Sequence, residues 1–535
     1  MTPQTSDPTA APARRRLLAV RPSRRLMIGA GLLLVAMVAA LLAGLSPLLP
    51  VVLVAVAAVA VRPVAGLGYV LIVLNAPLGL WFVGVEGAVG GAFGGRDYAL
   101  GLSAAVVICV LFALTAFRHR WTRRQLAGAG VALLVVAVWS LIGFAHHGVA
   151  QTLVGVRLTV LPVLLLAVLF SLTLRQVLPL MTVLAWLLVA NAVASVAELI
   201  VGPARLVQWG FEENTAVRYI GDTFRVPGLT SFNAELGILA GAYLLGYVAL
   251  WLTRGARPTR RSWHAGGLAS VLCLALSTSR SGALLVAGGV VAAVVLNRSG
   301  GAAGRRRARI LGLAVVAAVA AGFVAVGATG ARSLFERFDV WARLLGADLP
   351  PWGLGIGGVG AATTSRVTSG PQVFVDNYFV SVALQFGPVV GVALVAAFGY
   401  ALWLLWRRSA ERPVSVLFVA LLAGLACSFL VIEAWEYPGA MMCLALFAAY
   451  GRCLDAAGEV EPPPVAEPTG VWVPASPDSG VPPIVWVSAA PAVGKAPAAS
   501  APDAPPAALD AAEPVECRSA ADVPPGAPAI EQPTA

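Results

Sequence analysis

LAGAGVALLVVAVWSLIGFA, residues 126–145, carries no charged side chain and is long enough to cross a bilayer as a helix. A basic cluster, Arg118 to Arg124, precedes it, and His146 and His147 follow it. The same pattern of apolar run and arginine-rich break recurs along the chain. Further spans are expected at 26–45, 48–61, 64–84, 98–117, 158–174, 177–201, 229–253, 265–279, 281–297, 310–329, 378–406, 413–432 and 437–452. The chain therefore reads as an all-α polytopic integral membrane protein of about 12–14 transmembrane helices.

Composition points the same way. Hydrophobic residues make up 59% of the 535 and charged residues 12%, more apolar surface than soluble cores of this size would bury. The net charge of +11 is almost wholly arginine, Lys495 being the only lysine. Those arginines sit in short breaks between apolar runs, a distribution that reports topology and not nucleic-acid binding. Cys109, Cys273, Cys427, Cys443, Cys453 and Cys517 show no spacing of a metal site or a disulfide framework. His146 and His147 have no carboxylate or cysteine at ligand spacing, so no metal site is expected there.

Residues 1–25 form a basic cytoplasmic N-terminus, and 26–454 form the membrane domain. A signal peptide is disfavoured because further spans follow at once. Threading from an inside N-terminus places Arg118 to Arg124, Arg254 to Arg261, Arg298 to Arg309 and Arg407 to Arg412 in the cytoplasm, as the positive-inside rule requires. The loops 85–97, 202–228, 330–377 and 433–436 then lie outside, and both termini inside. Residues 455–535, rich in proline, alanine and acids, form a tail expected to be disordered. Within it, GVWVPASP and PIVWVSAAP are small apolar islands that chance in a low-complexity region explains more readily than a docking motif, although the tail could take a cytoplasmic partner.

The large extracytoplasmic loop is Gly330 to Asn377, GARSLFERFDVWARLLGADLPPWGLGIGGVGAATTSRVTSGPQVFVDN. A loop of this length held between spans is more often a functional surface than a linker. Phe338, Trp341 and Leu345 share one face of a short amphipathic helix that also carries Arg337, Asp339 and Arg343. Gly355, Gly357 and Gly360 have the GxGxxG spacing, but no strand precedes them; they read as a tight turn that lets backbones approach closely. Asp376 reads first as an N-cap or first-turn acid of the next span.

Two arginines break membrane rules. Arg280, in STSRSG (Ser277 to Gly282), is forced to the outer side between short apolar runs. It is either a snorkelling residue at a hairpin or part of a hydroxyl-lined anion site, and the second reading carries more weight. Arg225 in RYIGDTFRVPGLTSFN (Arg218 to Asn233) divides evenly between an interfacial ion pair with Asp222 and a functional role; for Arg218 the structural reading leads.

In order, RVPGLTSFN, STSRSG, RFDVW, PPWGLGIGGVG and VDNYFVSVALQFG resemble the O-antigen ligase and polysaccharide polymerase superfamily of bacterial envelope proteins, over roughly Arg225 to Gly391. The resemblance implies a GT-C-like glycosyltransferase of the cytoplasmic membrane, acting on its outer face without nucleotide sugar, cofactor or essential metal. Its donor would be a glycan on undecaprenyl diphosphate, and its acceptor a hydroxyl of a second glycan or another surface molecule. Arg280, Arg225 and, less closely, Arg337 match the family's arginines, which implies contact with the donor diphosphate. Asp376 stands where ligases commonly carry a histidine; that implies a base at Asp376, with Asn377 orienting it or the substrate, and leans toward a polymerase. The alternative is a transporter or flippase of lipid-linked glycan, which many spans and intramembrane charges would also serve.

Overall fold

The computed structural model describes residues 62–76, 96–119, 121–209, 217–220, 223–253, 260–296, 333–346, 350–363, 375–409 and 412–458, isolated positions between them, and short strands at 471–474 and 484–487. The basic N-terminus, the expected span 26–45, all of 48–61 but Val59, most of 310–329, Asp222 and the Arg337 side chain lie outside the described residues. The chain divides into two units, Met1–Glu461 and Pro462–Ala535.

The first unit is a helical membrane protein. In order it contains α1 (Pro63–Asn75), α2 (Arg96–Arg118), α3 (Arg123–His147), α4 (Val149–Phe170), α5 (Leu174–Val201), α6 (Pro203–Gln208), β1 (Arg218–Ile220), β2 (Thr223–Arg225), α7 (Asn233–Leu252), α8 (Arg261–Ser277), α9 (Arg280–Leu296), α10 (Ser333–Leu345), α11 (Tyr378–Phe386), α12 (Pro388–Arg408), α13 (Ser415–Phe429) and α14 (Pro438–Gly458). Among the described residues, six of these (α3, α4, α5, α7, α12 and α14) are long and apolar enough to cross a membrane; shorter apolar helices include α1, α9 and α13.

The stretch that decides the fold forms α3, begun by a capping box in which Thr122 accepts from Gln125 N–H and the Gln125 side chain returns to the Thr122 N–H. Gly148, at φ 79°, is the only residue between α3 and α4. The span expected at 158–174 therefore begins at Val149 instead. Gln151 and Thr152 look like loop residues in sequence, yet both are buried inside the protein and bonded there.

The core is built by α7, α8, α9 and α13, with α5 and α14 packed around them. Small residues set the spacing: a Cβ on Gly282 of α9 would stand 2.1 Å from the Gly237 carbonyl oxygen of α7. Without a hydrophobic gradient between helices in lipid, such close backbone approach is what holds spans together. At the opposite extreme, α3 and α12 bury little of themselves and carry exposed Leu133, Leu134, Leu141, Val389, Val392 and Trp403, the surface expected where lipid is the solvent.

The span expected at 378–406 is two helices. Gly387, at φ 91°, and Pro388 end α11 and open α12, and a Cβ at Gly387 would sit 2.2 Å from the Pro351 carbonyl oxygen. The break makes room for the glycine segment of the 330–377 loop, which does not simply lie over the bundle. Residues from Gly353 to Gly360 are buried, apart from the half-buried Leu354, and run between α3, α4 and α11. Ile356 N–H donates to the Trp139 carbonyl at 3.0 Å. Trp139 lies eight residues before the end of α3, about 12 Å along its axis.

Irregular backbone at that depth must have its polar groups satisfied by protein. Here Leu354 and Gly355 N–H donate to the Leu384 and Gln385 carbonyls at 2.8 and 2.9 Å, and Gly357 N–H to Gln385 Oε1 at 3.1 Å. The carbonyls of Trp352 and Gly357 accept from Trp139 Nε1 (2.8 Å) and Gln151 Nε2 (2.7 Å), and His147 Nε2 lies 2.9 Å from the Leu354 oxygen. The GxGxxG glycines thus do allow close backbone approach, as a re-entrant segment. Gly355 is at φ 84°, and a Cβ there would stand 2.3 Å from the Gly143 nitrogen. Gly355→Ala is therefore expected to destabilise the protein by roughly 2 kcal/mol or more, read as a lower melting temperature in detergent, whereas Gly130→Ala, in open space inside α3, is expected to keep or slightly raise it.

In the second unit the two apolar islands of the tail pair as an antiparallel hairpin, β3 (Val471–Pro474) with β4 (Ile484–Val487), Trp472 standing opposite Trp486. Alternating, β-branched VWV and IVWV segments favour that pairing. Of the tail expected to be disordered, these two strands are the described residues beyond Pro462.

Candidate functional site

The segment RVPGLTSFN leads from β2 into α7. β1 and β2 form a two-stranded hairpin in which Arg218 stands opposite Arg225. Arg225 is half-buried, and its Nε donates to Thr278 Oγ1 at 3.0 Å and to the Ser277 carbonyl at 3.3 Å. With the Asn233 amide turned so that its oxygen faces the guanidinium, Oδ1 accepts from Arg225 Nε at 2.9 Å and Nη2 at 2.6 Å.

Thr278 closes α8 at φ 47°, the one described non-glycine residue in the left-handed region. A β-branched residue there costs on the order of 1–3 kcal/mol and persists only where its surroundings hold it. Here the holding group is Arg225, and the strained turn delivers half-buried Arg280 as the first residue of α9. The two sequence-predicted arginines are therefore brought into one turn region. The threonine that joins them was missed, because a hydroxyl among several in STSRSG gives no sign of its backbone conformation.

The other end of the site comes from the 3₁₀ turn Ala434–Glu436 between α13 and α14, and from the residues before α11. Asp376 is half-buried at a bend; Asn377 is the N-cap of α11, its Oδ1 accepting from Val380 N–H at 3.1 Å while Nδ2 donates to the Leu430 carbonyl at 3.3 Å. The capping role open to Asp376 belongs to Asn377. Its amide makes one backbone contact on each side, with a second Nδ2 hydrogen and a second Oδ1 lone pair remaining.

Glu433 and Glu436 converge on Gly360, the last glycine of the re-entrant segment. A Cβ at Gly360 would meet Glu436 Oε1 at 2.7 Å and Glu433 Oε2 and Oε1 at 2.8 and 2.9 Å. Glu436 Oε2 accepts from Ala361 N–H at 2.7 Å, whereas Glu433 Oε1 is buried with no hydrogen-bond partner. Burial first, then the negative charge of Glu436 and Asp376, pushes the Glu433 carboxyl well above the usual range, against a hydrogen bond from Ser381; burial also raises Glu436. Ser381 in turn accepts from Gln385 Nε2 at 3.1 Å, so one polar stripe of α11 ties the acids to the glycine segment.

Tyr437 joins the two ends. Its phenol is pushed up by burial and then by the negative charge of Glu433, Glu436, Glu235 and Asp376. Its ring lies 5.7 Å from that of Phe232, the residue before Asn233. Arg225 and the Thr278 turn thus lie on one side of Phe232–Asn233, and the carboxylates on the other.

Raised carboxyl values have a consequence for stability. Between the ordinary carboxylate range and the raised values the folded protein binds more protons than the unfolded chain, so stability falls as pH rises through that window. Glu433→Gln is expected to flatten this fall in melting temperature with pH.

Arg337 lies on α10, whose inner face is Trp341 and Leu344 against Val359, Val375 and Leu384, with Phe338 exposed. The Phe338 and Trp341 rings pack edge to face 5.1 Å apart, as the expected stripe has them, and the Leu345 side chain lies outside the described residues. His147 contacts backbone only as noted, and among the described residues no group of three His, Cys, Asp or Glu is arranged to hold a metal ion. Fold and site together define a polytopic helical membrane protein in which Arg225 is bonded to the turn that precedes Arg280, and the buried Glu433 and Glu436 meet the last glycine of the 353–360 segment. Comparison with protein-family models, curated proteins and solved structures gave no match.

Proposed function

We propose that the protein is an integral-membrane glycosyltransferase of the O-antigen ligase and polysaccharide polymerase type, with a GT-C-like plan. It moves a glycan from undecaprenyl diphosphate to a hydroxyl of a second glycan or another surface acceptor, on the outer face of the cytoplasmic membrane and with both termini inside. The observation that carries this reading is the joining of Arg225 to the strained turn that ends in Arg280, with Asp376, Glu433 and Glu436 across Phe232–Tyr437 from it. Transfer from a diphosphate needs cations where negative charge departs and a base where the acceptor loses its proton. Guanidinium groups suit the first task, and a carboxylate suits the second. In this scheme Arg280 and Arg225 bind the diphosphate, with Arg337 an outlying third, and Asp376 is the base.

A strain lacking the protein tests the class. Loss of polymer length or of attachment, with lipid-linked units still reaching the outer face, is the expected result. Loss of all surface glycan with those units trapped inside would assign the protein to transport.

A further inference from the structure

We propose that Glu433 and Glu436 share a single proton as a carboxyl–carboxylate pair seated on Gly360, and that this pair takes on the proton that Asp376 removes from the acceptor. The second half rests on the transferase reading above; the first does not.

Three observations carry the pair. Three of its four carboxylate oxygens lie within 2.9 Å of the position a Cβ would take on Gly360, so both groups crowd one buried space, where two like charges without a counter-charge are disfavoured. Their environments differ: Glu436 Oε2 accepts a backbone N–H from Ala361, as suits the ionised member, while Glu433, only 4% exposed, is hydrogen-bonded by Ser381 but keeps Oε1 buried with no hydrogen-bond partner. A lone buried carboxylate oxygen is costly, whereas a carboxylic acid that donates to its neighbour is not. Finally, Gly360 sits at φ 81° where any side chain would occupy the space the carboxylates fill, so the backbone itself is shaped around them.

The groups that face the pair come from several elements: Asp376 from before α11, Ser381 and Tyr378 from α11, Tyr437 from the start of α14, and the Ala361 amide from the glycine segment. Asn377, the residue after Asp376, donates to the Leu430 carbonyl three residues before Glu433, which brings the two loops together, and the relay is drawn from Asp376 to Glu433 on that juxtaposition. The acceptor oxygen forms its bond to the donor's anomeric carbon, and the bond from that carbon to the diphosphate oxygen breaks, its electron pair leaving with the diphosphate. The acceptor's proton goes to Asp376, then to Glu433, which hands its own proton to Glu436. Both glutamates are then neutral until one proton returns to water.

Infrared spectroscopy of the purified full-length protein at neutral pH, wild type against Glu433→Gln, reads the pair without reference to activity. The expected difference spectrum shows loss of one protonated-carboxyl carbonyl band. No difference in that band would overturn the pair. In transfer assays with a lipid-linked oligosaccharide, Glu433→Gln is expected to lower kcat at least tenfold with KM kept and to remove one limb of the pH–rate profile. Loss of the band with turnover and pH profile unchanged would overturn the relay. A wild-type protein that shows the band but transfers nothing would leave the pair standing and remove both the relay and the transferase reading.

Discussion

Arg280→Ala is expected to lower glycan transfer by about 100- to 1,000-fold while the protein still folds, the scale of removing one positioned donor from a developing charge. Arg280 opens α9 from a turn whose Thr278 is held in the left-handed region by Arg225. Such strain is maintained only where the surroundings enforce it, and the residue it positions is Arg280. Arg280→Lys keeps the charge but not the planar fork, so its activity should fall between the two. Arg225→Lys should also impair transfer, by a different route: it removes the Nε contact to Thr278 and frees the turn to relax. A normal rate for Arg280→Ala at normal expression would remove the arginine from the site.

Asp376→Asn is expected to reduce kcat by about 100- to 10,000-fold, the usual contribution of a positioned base, with little change in melting temperature. The separation is clean because Asn377, and not Asp376, caps α11. Asn377→Ala supplies the converse: it removes the cap to Val380 N–H and should cost about 1 kcal/mol of stability with the base intact. Near-normal transfer by Asp376→Asn would pass the role of base to Glu433 or Glu436.

The helices that sequence located best are those whose ends are charged and whose interiors are not. The spans expected at 126–145, 177–201, 229–253, 265–279 and 281–297 match α3, α5, α7, α8 and α9 within a few residues. Hydropathy failed where polar residues are buried against protein. The span expected from 158 begins just after Arg157, nine residues later than α4 does, because Gln151, Thr152 and Arg157 interrupt the apolar run; Gln385, bonded to the glycine segment, gave no sign of where that segment lies. Gly387–Pro388 is a break signal present in the sequence, but the apolar residues on both sides of it outweighed the signal.

At the site, Arg225, Arg280 and Asp376 were legible because charges and small hydroxyls are conspicuous beside apolar runs. Their assembly was not. Thr278 is marked only by its backbone angle, and the Glu433–Glu436–Gly360 contact joins residues more than seventy positions apart. Glu433 and Glu436 are visible in sequence as acids in a short outer turn, but only the fold makes them a pair.

Purified protein incubated with an undecaprenyl-diphosphate-linked oligosaccharide and an acceptor, without nucleotide sugar, tests the central claim most directly. The donor should be consumed, and product size should separate the two modes, a ladder for a polymerase and a single shifted acceptor for a ligase, both lost in Arg280→Ala. Donor left intact by well-folded wild-type protein, across acceptors that include a second copy of the lipid-linked glycan, would contradict it.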